Sequence, residues 1–263
     1  MKVLVLPDVH GRKFWRKAVA NNIGQVDKVI FLGDYLDPYQ NEIKENSDSM
    51  ECNDFEDCQG LLNMLNDIIS LKKNEPDKYI LLTGNHTDSY IWSNFQAATR
   101  TDKRNWKKYN KFFSENLNLF NLVWIEGNCI FSHAGISQGW AKRVWKKFRY
   151  PESAYKSIMD VALALNDIPL TKVSNEYIQL ISNISYYRWG DALYGSCEWA
   201  DLREHVNMIE STTTIVPKGE DRIFQIFGHT QVKTPIITKK WACVDCKKRI
   251  LLSDILNDSK CNL

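Results

Sequence analysis

Short apolar runs recur along the chain at residues 3–6, 29–32, 79–82, 129–131 and 223–227, and each breaks at once into a polar cluster. Runs of Val, Ile, Leu and Phe without alternation predict strands buried on both faces. Between them the spacing turns helical: residues 12–22, then 55–73 with Leu61, Leu62, Leu65, Ile68 and Ile69 recurring at helical spacing, then 103–116. Strand alternating with helix argues for an α/β fold whose ligands gather at the strand ends.

The alternation breaks between residues 137 and 203, where helical stretches at 139–148, 152–165 and 173–184 have no strand between them. This segment reads as a helical cap inserted into one domain spanning 1–263. Short strands return at 223–227, 235–238, 241–244 and 250–252.

With 263 residues, 44% of them hydrophobic, the chain is long enough for one large core. A net charge of +2 lacks the strongly basic balance of a nucleic-acid binder. The apolar start is too short for a secretory leader and no run suits a membrane span, so a cytoplasmic location is expected. Seven cysteines without framework spacing predict reduced thiols. Cys243 and Cys246 form a single C-x-x-C within an alternating stretch, which predicts a strand and not a zinc knuckle. The acidic stretch 42–57 reads as a solvated loop ahead of a gate. In the basic stretch 142–149, the neighbouring Trp140, Trp145, Phe148 and Tyr150 fit a helix with aromatics inward and lysines outward. The basic stretch 100–111 reads the same way.

Five polar clusters carry the chemistry: Asp8-Val9-His10, Gly33-Asp34-Tyr35-Leu36-Asp37, Gly84-Asn85-His86, Ser132-His133-Ala134-Gly135 and Gly228-His229-Thr230. Each follows an apolar run, and together they hold four of the five histidines. Strand ends bring distant residues into one crevice, and Asp, His and Asn suit divalent ions such as Mn, Fe or Zn. His205 stands outside every cluster and reads as structural.

In content and order these clusters resemble the motifs of the calcineurin-like metallophosphoesterases: D-x-H, G-D-x-x-D, G-N-H, H-(A/G)-G and G-H. Leu32 to Asp37 and Ser132 to Gly135 look most like the PPP-type serine/threonine phosphatases and the bacterial dinucleoside-tetraphosphate hydrolases. The resemblance implies a four-layer α/β/β/α sandwich of two mixed sheets. It also implies two divalent metal ions, Mn foremost with Fe, Zn or Ni as alternatives. Asp8 and His10 would hold the first, Asp34 would bridge both, and Asn85, His133 and His229 would hold the second. A hydroxide bridging the metals would attack phosphorus. His86 would protonate the leaving group and Asp37 would orient it.

The chain departs from the family where PPP-type enzymes place a phosphate-gripping Arg, having Pro38 and Tyr39 instead, and Thr87-Asp88 follows the Gly-Asn-His motif in place of Glu. Arg188 and Arg203 are the candidates for the phosphate grip, with Arg12 third, because a guanidinium matches phosphate bidentately. The expected activity is phosphate monoester hydrolysis, a protein serine/threonine phosphatase among the forms it could take. A dinucleoside-polyphosphate hydrolase or nucleotide phosphodiesterase is the alternative, and a silent binding module the third reading. The single His of the last motif, unlike the G-H-x-H of nucleases, favours the monoesterase. Expected substrates are a phosphorylated small molecule, a nucleotide or a phosphoprotein, with neither membrane nor nucleic acid as partner.

Overall fold

The structure is a computed structural model that describes residues 1–45, 47–52, 58–147, 157–205, 223–247 and 250–251. Strands β1 (Val3–Leu6), β2 (Lys28–Phe31) and β3 (Tyr79–Leu82) run parallel, Leu4 opposite Val29 and Val29 opposite Tyr79. β4 (Phe120–Asn121) extends the sheet in parallel and β10 (Ile250–Leu251) closes its other edge antiparallel to β1. The second sheet runs β5 (Val123–Glu126), β6 (Cys129–Ser132), β7 (Phe224–Phe227), β9 (Trp241–Cys243), β8 (Ile236–Ile237). Its centre is parallel and its two edges antiparallel.

Burial on both faces explains why these strands carry no polar alternation: the period of two survives as a partition of the core. Val3, Val5, Ile30, Leu32, Ile80 and Leu82 meet Phe131, Phe224, Ile226 and Ala242 between the two sheets. Their neighbours Leu4, Leu6, Val29, Phe31, Tyr79 and Leu81 join the cluster that holds the helices. There α1 (Phe14–Asn22) lies on β1 and α3 (Gln59–Asn74) on β3. On the second sheet α7 (Ile158–Asn166) packs on β5 and α6 (Gln138–Lys147) on α7. The result is the expected four-layer mixed α/β arrangement.

Helix bounds shift from the sequence reading for identifiable reasons. α5 (Trp106–Asn116) begins late because the Asp102 carboxylate accepts the backbone N–H groups of Arg104 and Asn105, holding a turn in place. α7 begins at a capping box formed by Ser157 and Asp160, and α8 (Asn175–Ile181) at Ser174, whose hydroxyl accepts the Tyr177 N–H. Leu62 is only partly covered, while Leu61, Met64, Leu65, Ile68 and Ile69 form the buried face of α3. Two helices lay outside the sequence pattern: α2 (Gln40–Glu45), within the acidic stretch, and α4 (Asn85–Ile91), short and wholly buried.

The acidic stretch is not simply solvated, since Glu42 pairs with Arg12 and Lys247, and Glu51 with Arg16. Its residues Asp54, Glu56 and Asp57 lie outside the described residues, as do Phe148, Arg149, Tyr150, the expected helix start at 152 and the strand end at 252. In α6, Trp140 and Val144 are buried while Lys142, Arg143, Lys146 and Lys147 face water. Cys243 ends β9 and, like Cys246, Cys52, Cys58 and Cys197, is a reduced thiol. Cys129 departs from the expectation of reduced thiols, being disulfide-bonded. Among the described residues no helix is long and apolar enough to cross a membrane.

Candidate active site

The polar clusters gather at the carboxyl ends of β1, β2, β3, β6 and β7, as a crevice between packed parallel strands requires. Each strand stops because its next residues turn sharply. His10 (φ 45°), Asp34 (φ 47°), Asp37 (φ 60°) and His229 (φ 62°) are all left-handed without being glycine, a conformation that costs about 1–3 kcal/mol each and concentrates at functional sites. Backbone bonds between clusters hold that strain: the His10 N–H donates to the Asp34 carbonyl at 2.7 Å and the Gly228 N–H to that of His133 at 2.7 Å. Gly84 must lack a side chain, because a Cβ there would lie 2.3 Å from Asp34 Oδ1 and 2.9 Å from His133 Nδ1.

Two groups of lone pairs share Asp34. His10 Nδ1 donates to the Leu36 carbonyl at 2.8 Å, which leaves Nε2 facing Asp8 Oδ2 at 3.8 Å and Asp34 Oδ2 at 3.7 Å. His133 Nδ1 likewise donates to the Leu32 carbonyl at 2.8 Å, and its Nε2 faces Asp34 Oδ2 at 3.4 Å, Asn85 Oδ1 at 3.0 Å and His229 Nδ1 at 3.1 Å. Converging acceptors with no donor among them repel unless a proton or cation stands between them, which is the chemistry a divalent metal supplies. His10, Asp34 and His86 can close on one ion, and Asp34, His133 and His229 on another. The donor set therefore fits two metals.

Without metal, protons compensate. Burial opposes charge on His133, but Asp34 and Asp8 override it and hold the imidazole well above its usual pKa, while Asp34 is held well below the carboxylate range by His133, His86 and His10 despite its burial. His10 and His229 are pushed well below the ordinary range by burial, with Arg188 adding to the effect at His229. Burial raises Asp8.

Beside this pair of groups stands a proton-handling chain. The His86 backbone N–H donates to Asp34 Oδ1 at 2.9 Å, and its ring Nδ1 donates to Asp37 Oδ2 at 2.6 Å. The other Asp37 oxygen accepts from the Tyr90 hydroxyl, which in turn accepts the Asp102 N–H at 2.6 Å. Burial raises Asp37 in spite of these two donors.

The expected arginines fall unevenly. Arg188 reaches Thr230 Oγ1, next to His229, at 2.6 Å and pairs with Asp201 at 2.8 Å. Arg203 is mostly exposed, pairs with Asp201 at 2.7 Å and donates to the Tyr187 carbonyl, away from the lone-pair groups. Arg12 is buried against Glu42 at 2.6 Å and the Asp8 carbonyl at 3.1 Å. His205 is a structural histidine, 3.1 Å from the Ala134 carbonyl, stacked near Phe227 and lowered to about 4 by burial.

Four residues at the site escaped sequence reasoning. Arg100 lies 3.8 Å over the Tyr39 ring and places a guanidinium nitrogen 3.4 Å from His86 Nε2; no spacing rule connects it to the motifs. Tyr90 is four residues beyond His86 on α4, a spacing visible only once that helix is known. Glu198 accepts from Thr83 Oγ1 at 3.3 Å, and burial lifts it to about 8. Asp245 lies just past β9 and is a polar residue after an apolar run, the same signal that marked the other clusters.

The family model of the calcineurin-like phosphoesterases matches residues 1–233. Among solved structures, the cold-active protein-tyrosine phosphatase of a psychrophilic Shewanella species is 15% identical, with a TM-score of 0.51 over 95% of this chain and 75% of that one. A protein serine/threonine phosphatase from Saccharomyces cerevisiae is 12% identical, with a TM-score of 0.47 over 100% of this chain and 76% of that one. The first of these is a likeness of fold. No curated protein matches the sequence.

Proposed function

Because the chain belongs to the calcineurin-like phosphoesterases, metal-dependent enzymes that hydrolyse phosphate esters, we propose that it acts on phosphate monoesters at a pair of divalent ions. Asp8, His10 and Asp34 would hold the first; Asp34, Asn85, His133 and His229 would hold the second. The observation that carries this reading is Asp34 Oδ2, set 3.7 Å from His10 Nε2 and 3.4 Å from His133 Nε2, with the opposite nitrogen of each ring committed to a carbonyl. Such ions supply Lewis acidity to the phosphate oxygens and bring the pKa of a water near neutrality. The mixed oxygen and nitrogen donors suit Mn, with Fe, Zn or Ni also compatible.

The protein's own groups do the rest. Asp37 and Tyr90 fix the His86 ring so that its Nε2 proton goes to the departing alkoxide. Arg100, 3.4 Å from that nitrogen, and Arg188, beside His229, bind the phosphate oxygens that face away from the ions. Arg203 contributes by holding Asp201 against Arg188. The insertion at 137–203 acts as the cap, a reading supported by Arg188 and by Trp199, whose ring lies 6.0 Å from that of His229. Within it, the exposed Tyr186, Trp189 and Leu193 offer apolar surface for the organic part of a substrate, which favours a phosphoprotein.

A monoester is preferred over a diester because no second histidine follows His229; the residue two beyond it is the exposed Gln231. The test pairs metal analysis after Mn reconstitution with hydrolysis of para-nitrophenyl phosphate, its bis ester, a phosphopeptide and a dinucleoside tetraphosphate. Two ions per chain and monoester preference are expected. Preference for the bis ester or the dinucleotide overturns the substrate class, and loss of all hydrolysis with both ions bound overturns the activity.

A further inference from the structure

Past β9 the chain is stitched to the loop that carries His229. The Val244 N–H donates to the Phe227 carbonyl at 2.8 Å and the Val232 N–H to that of Asp245 at 2.9 Å. This brings Asp245 against Gly228, where an added Cβ would lie 2.4 Å from Asp8 Oδ1 and 3.7 Å from Asp245 Cβ. Asp8 and Asp245 therefore flank the same glycine. Asp245 is 1% exposed, and neither of its carboxylate oxygens has a hydrogen-bond partner, whereas Asp8 Oδ1 accepts the His229 N–H at 3.1 Å. The nearby guanidinium of Arg12 is committed to Glu42 and the Asp8 carbonyl.

A buried carboxylate without a donor is costly unless a proton or a cation compensates it, and a second carboxylate across the same glycine adds to that cost. We propose that Asp245 is a further ligand of the first metal position, binding the ion held by Asp8, His10 and Asp34. The inference rests on the two-metal reading above and adds to it a difference between the two positions. With Asp245 the first offers three carboxylates and one imidazole, an oxygen-rich set that selects a hard ion such as Mn²⁺ or Mg²⁺. The second, with two imidazoles, an amide and one carboxylate, suits Zn²⁺ or Fe²⁺.

The test titrates metal-free full-length protein with Mn²⁺, following the free ion by electron paramagnetic resonance, alongside thermal melts with and without Mn²⁺. Wild type should bind two ions. Asp245→Asn should weaken one of them by roughly 10–100-fold or more and leave the other unchanged. Its metal-free melting temperature should hold or rise, because the amide removes a buried charge, while the rise produced by Mn²⁺ shrinks. A variant that binds both ions with wild-type affinity overturns the assignment. So does a lower metal-free melting temperature with an unchanged isotherm, which marks a structural residue. Asp245→Ala repeats both readouts should the amide itself bind metal. If instead wild type binds no Mn²⁺ that Asp34→Asn removes, the two-metal reading fails, an outcome distinct from failure at Asp245 alone.

Discussion

Asp37→Asn tests the proton-transfer chain without touching a lone pair aimed at metal. In the native site one Asp37 oxygen accepts from His86 Nδ1 at 2.6 Å and the other from the Tyr90 hydroxyl. Asparagine has one oxygen for these two donors. The Tyr90 oxygen already accepts the Asp102 N–H at 2.6 Å, so its own proton still needs an acceptor, and the new amide oxygen turns to it. The NH₂ group then faces His86 Nδ1, which must present a lone pair. The imidazolium loses a charge-assisted bond worth about 1.5–3 kcal/mol, and the rate should fall roughly 10–150-fold wherever protonation of the leaving group limits it. The assay compares kcat for an alkyl phosphate with kcat for para-nitrophenyl phosphate, whose leaving group needs little protonation, and measures bound metal in parallel. A large loss on the alkyl ester, less than about threefold on the activated one and full metal content are expected, with His86→Ala more severe at roughly 10²–10⁴-fold. His86 also stands close enough to His10 and Asp34 to share an ion. Loss of metal from His86→Ala, or equal losses on both esters when chemistry limits the rate, would refute the acid assignment.

Asp34→Asn should remove both ions and abolish turnover of activated and unactivated esters alike, as metal analysis checks; retention of either ion by the variant would count against a shared ligand. Glu198, lifted to about 8 from an ordinary 4.5 mainly by burial, binds a proton in the folded state that the unfolded chain releases. Its contribution is thus fully present below about pH 4.5 and lost as pH rises through 8, so metal-free protein should melt lower at pH 8 than at pH 5. Glu198→Gln should remove much of that fall, on the order of a few kcal/mol; parallel melting curves for variant and wild type would contradict it. Trp189 is 98% exposed, and Trp189→Ala should leave the melting temperature nearly unchanged while raising KM for a phosphopeptide several-fold at constant kcat; an unchanged KM removes the loop from substrate binding.

The parts of this site that are legible in the sequence share one property: each lies just after a largely apolar run of three to five residues. Strand ends announce themselves because the strand is apolar and the residues that follow it are polar, and that contrast marks Asp8, Asp34, Asn85, His133 and His229 without any knowledge of the sheets. The partition of each run between two cores was invisible, since Val3 and Leu4 read alike although one faces the opposite sheet and the other the helices. Hence two sheets followed only from the family resemblance. The short helix α4 is illegible for the opposite reason: its seven residues are all buried yet almost all polar, so no apolar face with a helical period exists to detect. Arg100 is unreadable because its placement depends on the Tyr39 ring, which gathers Arg100 at 3.8 Å and Arg12 at 5.4 Å from its centroid. A contact of that kind across about sixty residues of sequence leaves no local pattern. Asp245 is the instructive case, because the rule that found the other clusters applies to it unchanged. The two cysteines around it, Cys243 and Cys246, raise the competing question of whether that stretch binds zinc. The strand reading answered that question, and the same reading places a carboxylate where a strand of the second sheet ends.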